Sequence, residues 1–354
     1  MTEIDKRWEL GSEFHSTSVE SPPEPSLLPR PSVLFRSGRD ALRSLLDHAG
    51  AAFGWKRILV PSYFCQEVVE SLIGTSLTVA LYDDGPLDEF TVPTSATQGD
   101  LLLVVNHFGV RRQPKYPDDL REVVTIIEDH THDPWSAWAR RSIADYILVS
   151  LRKTQPIPDG ALLYSPKKNL LPRDPSGTAV AAAAALDKLS AMVLKGLYLE
   201  GGDIPKSRFR ELATSGEARF ASGGVSAASG YTKVLLQQLP IGAWRRQRWL
   251  NFQALSAPFK DDPRVKVLQP TQSDAVPFSC VLLFETAEQR DLIRRELLSR
   301  DIYPAVLWPL DEPLLPGIPD EHVAFSRRML SIACDMRYRE EDMSVVERRL
   351  REIL

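Results

Sequence analysis

Short apolar segments, separated by polar or helix-forming stretches, constrain the fold of this 354-residue chain more than any other feature. These segments are residues 56–62, 76–83, 100–109, 123–129, 145–151 and 160–165. Their length and apolar composition are typical of buried strands, and strands that alternate with helices favour a parallel or mixed sheet. We therefore expect an α/β fold, with a large domain whose mostly parallel sheet is covered by helices.

Three regions follow one another along the chain. Residues 1–34 are predicted to form an N-terminal arm, because residues 16–32 hold five prolines and show little periodicity. Residues 35–244 form the predicted large domain, which starts with a helix that Ser37 caps. Residues 245–354 contain further strand and helix patterns and are predicted to form a smaller α+β domain.

Composition excludes several classes of protein. The net charge of -4 provides no basic excess, so we expect no nucleic-acid partner. Cys65, Cys280 and Cys334 are too few and too scattered for a disulfide framework or a metal cluster, which favours a metal-free protein in the reducing cytoplasm. Apolar runs stay shorter than the ~20 residues of a membrane span, so we expect no membrane association.

Polar side chains follow three of the predicted strands at the point where each strand ends. Asn106 and His107 end one strand, Asp129 ends the next, and Ser150 with Lys153 follows the third. Because open α/β sheets bind ligands at the carboxyl ends of their strands, these residues are expected to share one small ligand.

Pyridoxal phosphate is a ligand that would use such a set. Its aldehyde needs a lysine, its ring nitrogen an acid and its phosphate the amides of a helix terminus. Lys153, Asp129 and the turn 37–39 supply these groups, and His132 could donate to the phenolic oxygen. The prolines and glycine that follow Lys153 predict an irregular loop, which would keep the amine facing the ligand.

The order of several motifs then resembles one known family. "SGRDAL", "VPSYFCQEVV", "NHFG", "IIEDHTHD", "SLRK", "GYT" and "LSIACDMRYREEDM" succeed one another from about residue 35 to the end of the chain. This order resembles the DegT/StrS family of pyridoxal-phosphate-dependent aminotransferases. The resemblance implies a fold-type I homodimer with shared active sites that moves an amino group from glutamate or glutamine to a keto sugar, cyclitol or related natural-product intermediate.

The resemblance also implies roles for individual residues. Lys153 matches the Schiff-base lysine, Asp129 the partner of the ring nitrogen, and His132 the usual glutamine near O3′. The other implied cofactor contacts are Ser37, Gly38, Arg39 and Ser150 at the phosphate, Phe64 and Cys65 near the ring, Asn106, and Tyr231, which would reach the neighbouring subunit's site. The spacing from Ser150 to Lys153 is shorter than is common in the family, and Cys65 replaces a stacking aromatic, so Phe64 or Tyr63 is expected to stack.

Arg337, His107 and Trp308 are the candidates for substrate contacts. Arginine binds carboxylates through two parallel hydrogen bonds, so Arg337 could hold a donor or substrate, although a surface salt bridge to a nearby glutamate is the alternative. His107 could equally be a core histidine, and Trp308 a core aromatic. In isolation, Lys153 could be an exposed basic residue beside Arg152.

Two other functions remain compatible with these residues. The same cofactor could support elimination, dehydration or another reaction at the α- or β-carbon, because the cofactor supplies the electron sink. A catalytically silent protein could also use the fold to bind a partner or a metabolite, since a fold does not determine a function.

Overall fold

The computed structural model describes residues 6–16, 28–87 and 89–354. The proline-rich arm predicted from residues 16–32 thus falls largely outside the described residues. Residues ahead of it pack on the body, because strand β1 (Leu10–Gly11) pairs in parallel with strand β11 (Ile302–Tyr303). The predicted boundary at residue 34 falls inside strand β2 (Ser32–Phe35), which belongs to the main sheet.

The remaining strands follow the apolar segments of the sequence. They are β3 (Arg57–Pro61), β4 (Thr78–Tyr82), β5 (Asp100–Val105), β6 (Val124–Asp129), β7 (Tyr146–Val149), β8 (Ala161–Tyr164), β9 (Lys266–Val267), β10 (Cys280–Leu283) and β12 (Met329–Ile332).

Helices connect and cover these strands. They are α1 (Gly38–Phe53), α2 (Gln66–Leu72), α3 (Asp118–Val123), α4 (Ala137–Arg140), α5 (Ala179–Leu199), α6 (Lys206–Ala221), α7 (Gly230–Leu235), α8 (Ile241–Ser256), α9 (Ala287–Leu298), α10 (Asp320–Arg328) and α11 (Glu340–Ile353). Within the described residues, no helix combines the length and apolar character needed to cross a membrane.

The main sheet has the order β2-β8-β7-β6-β5-β3-β4. Strands β4, β3, β5, β6 and β7 are mutually parallel, whereas β8 runs antiparallel to both β7 and β2. Alternate residues of β5 belong to different hydrophobic clusters: Leu101 and Leu103 to one, Leu102 and Val104 to the other. Both faces of the strand are therefore buried, as parallel sheets require, and the predicted α/β fold is confirmed.

A smaller unit follows in the chain. Strands β9, β10 and β12 form an antiparallel sheet, and helices α8, α9 and α11 pack around it. Position 245 lies inside helix α8, so the helix runs without a break from the large unit into the small one. Apolar residues near its start, Ile241 and Trp244, belong to a cluster of the large unit, and Phe252 and Leu255 near its end belong to the cluster of the small unit.

A buried ion pair fixes the start of helix α1. The Arg36 guanidinium donates to both carboxylate oxygens of Asp40, at 2.8 and 2.9 Å, and Asp40 also accepts from the backbone N–H of Ser226 at 3.3 Å. The side chains of Arg36 and Asp40 are only 1% and 7% exposed. The pair therefore joins the helix to the segment that precedes α7.

Asp40→Asn is expected to lower the free energy of unfolding by about 3 to 5 kcal/mol, because it leaves the Arg36 charge buried without its partner. Urea denaturation followed by circular dichroism measures the change. Asp47→Asn, on the exposed face of the same helix, is the control and should change stability by less than about 0.5 kcal/mol. Equal stability of Asp40→Asn and the wild type would contradict this account of α1.

Candidate active site

The register of the central sheet brings three strand ends together. Val105 of β5 is the partner of Asp129 in β6, and Asp129 is the partner of Leu148 in β7. Asp129 therefore lies between two neighbouring strands at their carboxyl ends. Ser150 and Lys153 follow β7 directly, so the polar residues that the sequence pattern grouped lie along the same edge of the sheet.

Lys153 ends a single turn of 3₁₀ helix, Leu151–Lys153, and its backbone N–H donates to the Ser150 carbonyl at 3.2 Å. Pro156 and Pro158 follow, and the chain returns at Gly160, whose φ of 120° is accessible to glycine at low cost. The predicted irregular segment after Lys153 is thus present. It leaves the lysine side chain exposed to a pocket instead of packed in the core.

The Lys153 amine lies in an electropositive environment. The neighbouring Arg152 charge and desolvation by the protein around the pocket lower the pKa of Lys153 to about 8, although Glu217 opposes the shift. At pH 7 roughly a tenth of this amine is therefore neutral and nucleophilic, far more than for an ordinary lysine.

Asp129 is held from one side by the loop that follows it. Its Oδ1 accepts from the backbone N–H of Thr131 at 2.8 Å, while burial raises the pKa of the carboxyl group. An opposite charge placed against this carboxylate would stabilise its ionised form. The side chain is therefore suited to a cationic partner in the pocket.

His132 is a neutral imidazole with a defined tautomer. Burial and the charges of Lys153 and Arg248 lower its pKa to about 3. Its Nδ1 accepts from the backbone N–H of Phe108 at 2.9 Å, so Nε2 carries the proton and acts as a donor. The ring stacks against Trp308, with centroids 5.6 Å apart, which fixes its orientation.

The opposite end of the pocket is the start of helix α1. Ser37 caps the helix by accepting from the backbone N–H of Asp40 at 3.2 Å. An added Cβ at Gly38 would lie 3.5 Å from the Cβ of Ser150, so the helix start and the end of β7 are neighbours. The free N–H groups and the dipole of this 16-residue helix favour an anion at that point.

One pocket collects most of the predicted residues. Its lining contains Ser37, Gly38, Arg39, Phe64, Cys65, Asp129, His132, Ser150, Lys153 and Trp308. Residues for which the sequence predicted no role also line it: Glu67, Val68, Val105, Thr131, Leu148, Arg152, Phe278 and Leu307.

Thr131 is the pocket residue that the sequence could most readily have predicted. Its Oγ1 accepts from the backbone N–H of Ser150 at 2.9 Å and so ties the ends of β6 and β7 together. Its position between Asp129 and His132 was the available signal. Phe278 had no such signal, because it reaches the pocket from the loop before β10.

Besides Tyr63, the alternative to Phe64, four predicted residues lie outside this lining. Asn106 is buried, and its backbone N–H donates to the Asp129 carbonyl at 3.0 Å. The fully buried His107 bonds through Nε2 to the carbonyl of Tyr63 at 2.7 Å, as expected for a core histidine. Tyr231 is 48% exposed and lines a separate surface cavity.

Arg337 is the fourth. Its guanidinium donates to both carboxylate oxygens of Asp335 at 2.8 Å and to the backbone carbonyl of Glu13 at 2.8 Å. It also lies over the ring of Phe14, 4.4 Å from the centroid. Its polar groups are thus directed at Asp335 and the N-terminal segment, and its ion pair is with Asp335 instead of the predicted glutamate of α11.

Comparison with known proteins gave structural matches only. No family model matches the sequence, and no curated protein sequence matches it. Among solved structures, the chain resembles the PMP form of Spr1654 from Streptococcus pneumoniae, described as a sugar aminotransferase, with a TM-score of 0.61 and 12% identity over 93% of this chain and 87% of that one.

Two further structures have similar scores. DesV from S. venezuelae, solved with a ketimine intermediate, gives a TM-score of 0.59 and 19% identity over 91% of this chain and 84% of that one. A DegT/DnrJ/EryC1/StrS aminotransferase from Brucella abortus gives 0.54 and 15% over 91% and 85%. The chain therefore has the fold of the fold-type I pyridoxal-phosphate-dependent aminotransferases.

Proposed function

We propose that this chain is a pyridoxal-phosphate-dependent aminotransferase related to the DegT/StrS family. The observation that carries the proposal is that Lys153 and Asp129 line one pocket at the ends of adjacent strands, on the fold of such aminotransferases. The amino donor would be glutamate or glutamine. The acceptor would be a keto sugar, a cyclitol or a related intermediate, as the sugar aminotransferase matches favour.

The residues of the pocket fit four functional groups of pyridoxal phosphate. Lys153 offers a partly neutral amine to the aldehyde, and Asp129 offers a buried carboxylate to the ring nitrogen. Gly38 and Ser150 meet at the start of α1, where backbone N–H groups would receive the phosphate. His132 presents its Nε2–H as a donor that suits the phenolic oxygen.

When bound, the cofactor would supply an electron sink for the bonds at the substrate's amino-bearing carbon. Lys153 would hold the aldehyde, and its free amine would take the proton from the amino-bearing carbon of the donor. Asp129 would keep the ring nitrogen protonated, because a carboxylate in a poorly solvated site favours a cation beside it. Trp308 and Phe278 flank His132 and restrict water at this side.

The rate at which pyridoxal phosphate attaches to Lys153 is expected to rise with pH through about 8, since only the neutral amine attacks the aldehyde. The Arg152 charge is the largest cause of this low pKa. Arg152→Met should therefore raise the midpoint by about one pH unit. Absorbance measured after rapid mixing at a series of pH values gives the profile.

Arg112→Met serves as the control, because Arg112 is exposed and does not line the pocket. It should leave the midpoint unchanged. A wild-type midpoint near 10.5, the ordinary lysine value, would show that the environment of Lys153 is not the one described.

Incubation of the cofactor-loaded protein with L-glutamate tests the function itself. We expect loss of the visible absorbance of the bound cofactor together with one equivalent of 2-oxoglutarate, which identifies amino transfer to the cofactor. Unchanged absorbance with both glutamate and glutamine, while a candidate acceptor loses water or releases ammonia, would instead identify an elimination.

We also propose a homodimer in the cytoplasm. Tyr231 and Val234 of α7 are 48% and 60% exposed, which suits a surface that a second copy covers and from which Tyr231 reaches the partner's site. A monomer mass in light scattering at micromolar concentration would contradict the dimer.

The cytoplasmic location is supported by the three cysteines, which are free and so suit a reducing compartment.

A further inference from the structure

A second cavity adjoins the candidate active site. Both cavities are lined by Arg152 and Lys153, so they meet at this pair. The second cavity has a volume of about 400 Å³. Helices α5 and α6 form one wall, and residues of the N-terminal segment form another. The space is large enough for the part of a substrate that extends beyond the reacting carbon.

Cationic side chains in this cavity converge on a single carboxylate. Arg152 donates to the two oxygens of Glu217 at 2.8 and 3.1 Å, and Lys188 donates to one of them at 3.2 Å. Arg39 lies 3.8 Å from the same carboxylate. Burial would raise the pKa of Glu217, but the charges of Arg152, Lys188 and Lys153 outweigh burial and lower it to about 2. Glu217 is therefore an anion, and positive charge exceeds negative around it.

The helix pair is built to bring Lys188 to this point. An added Cβ at Gly216, in the middle of α6, would lie 2.6 Å from the Cγ of Lys188, so only glycine leaves room for the lysine chain to pass. A glycine inside a helix costs about 1 kcal/mol relative to alanine. Gly216 therefore destabilises α6 on its own but allows the Lys188 side chain to pack across it.

Arg152 has a hydrogen-bond donor left for an anion. Its side chain is 10% exposed, and its Nε is buried without a hydrogen-bond partner. Glu217 is the more accessible member of the pair, with 36% of its side chain exposed. The carboxylate can therefore swing away while the guanidinium remains in place.

We propose that the second cavity binds an anionic group of the substrate, a carboxylate or a phosphate, which replaces Glu217 on Arg152 and Lys188. This inference rests on the proposed function, because the substrate must also reach Lys153. Glu217 then acts as an internal counter-ion that is exchanged for the substrate's anion. The group would come from the amino donor or from an acidic or phosphorylated acceptor.

The N-terminal segment closes this cavity on the far side. Ser12, Glu13 and Phe14 line it, and Arg337 holds two of them through the Glu13 carbonyl and the Phe14 ring. Lys195 donates to the same carbonyl at 2.7 Å. Arg337 is therefore a positioning residue for the cavity wall.

Titration calorimetry on protein loaded with pyridoxal phosphate tests the proposal, with glutarate, glucose 1-phosphate and glucose as probes. At least one of the two anions should bind, and glucose should bind far more weakly. Lys188→Met should weaken binding of that anion about tenfold, whereas Glu217→Gln should strengthen it about tenfold by removing the competing carboxylate. Lys188→Arg should restore binding, and Lys266→Met, an exposed lysine on β9, should leave it unchanged.

The decisive result is that Lys188→Met and Glu217→Gln change anion binding in opposite directions. If Glu217→Gln weakens anion binding, or if neither anion binds more tightly than glucose, the proposal is wrong; should Lys188→Met not fold, the Glu217→Gln comparison decides alone. Binding of glutarate alone assigns the site to the amino donor, and binding of glucose 1-phosphate alone to the acceptor. Failure of the proposed function would appear separately, as protein that never bonds the cofactor covalently yet still shows these anion affinities.

Discussion

Replacing Lys153 with alanine is expected to abolish covalent attachment of pyridoxal phosphate and to reduce amino transfer on the order of a thousandfold. The 3₁₀ turn after β7 exposes this amine to the pocket, and its lowered pKa makes it nucleophilic. Removal of the side chain deletes both the bond to the cofactor and the group that carries the proton. Borohydride reduction followed by peptide mass spectrometry measures the attachment, and 2-oxoglutarate formation measures the transfer.

Lys115→Ala provides the matched control, because Lys115 is exposed and lies outside the pocket. It should retain wild-type attachment and activity. Added methylamine should restore part of the activity of Lys153→Ala, because a small amine can enter the vacated space and carry the proton. A cofactor attached to another lysine in Lys153→Ala, with activity retained, would show that the reacting amine has been misassigned.

Asp129→Asn is expected to reduce amino transfer about a hundredfold while leaving covalent attachment intact. Asparagine keeps the shape of the side chain and can still accept from the Thr131 N–H, but it removes the negative charge. The ring nitrogen would then lose its proton more readily, and the ring would accept electrons less well. Steady-state rates and the pH dependence of the bound cofactor's absorbance measure the two effects.

Glu128→Gln is the informative comparison for this variant. Glu128 neighbours Asp129 in β6 but points to the other face of the sheet, where it accepts from the Tyr116 hydroxyl at 2.8 Å and bonds to His130. Loss of the Glu128 charge should lower the free energy of unfolding and leave the absorbance spectrum of the bound cofactor unchanged. The same spectral change in both variants, or none in Asp129→Asn, would remove Asp129 from the proposed role.

Much of the fold was predictable from the sequence because short-range features determine it. The apolar segments ending at Asp129 and Ser150 read as strands buried on both faces, which favours the parallel pairing that they have. Ser37 marks the start of α1, as its capping hydrogen bond to Asp40 shows. The grouping of strand-end residues into one pocket then follows from the geometry of an open sheet.

The direction of individual side chains was not predictable in the same way. His107 and Asn106 also end a strand, but the turn after β5 directs them into the core. Arg337 donates hydrogen bonds to Asp335 and to a segment more than three hundred residues earlier in the chain. Such long-range contacts leave no periodic pattern.

The contacts between helices α5 and α6 were also not predictable from the sequence. Glu217 and Lys188 lie on polar helix faces that resemble ordinary solvated surface, and only their approach to Arg152 distinguishes them. That approach depends on the packing of two helices at Gly216, which a single sequence does not reveal.

A crystal structure of the protein with pyridoxal phosphate tests the central claim most directly. The account predicts that the aldehyde carbon bonds to Nζ of Lys153, that the ring nitrogen lies within hydrogen-bonding distance of the Asp129 carboxylate, and that the phosphate lies against Gly38 and Ser150. A cofactor seated away from Asp129, or joined to a different amine, would contradict it.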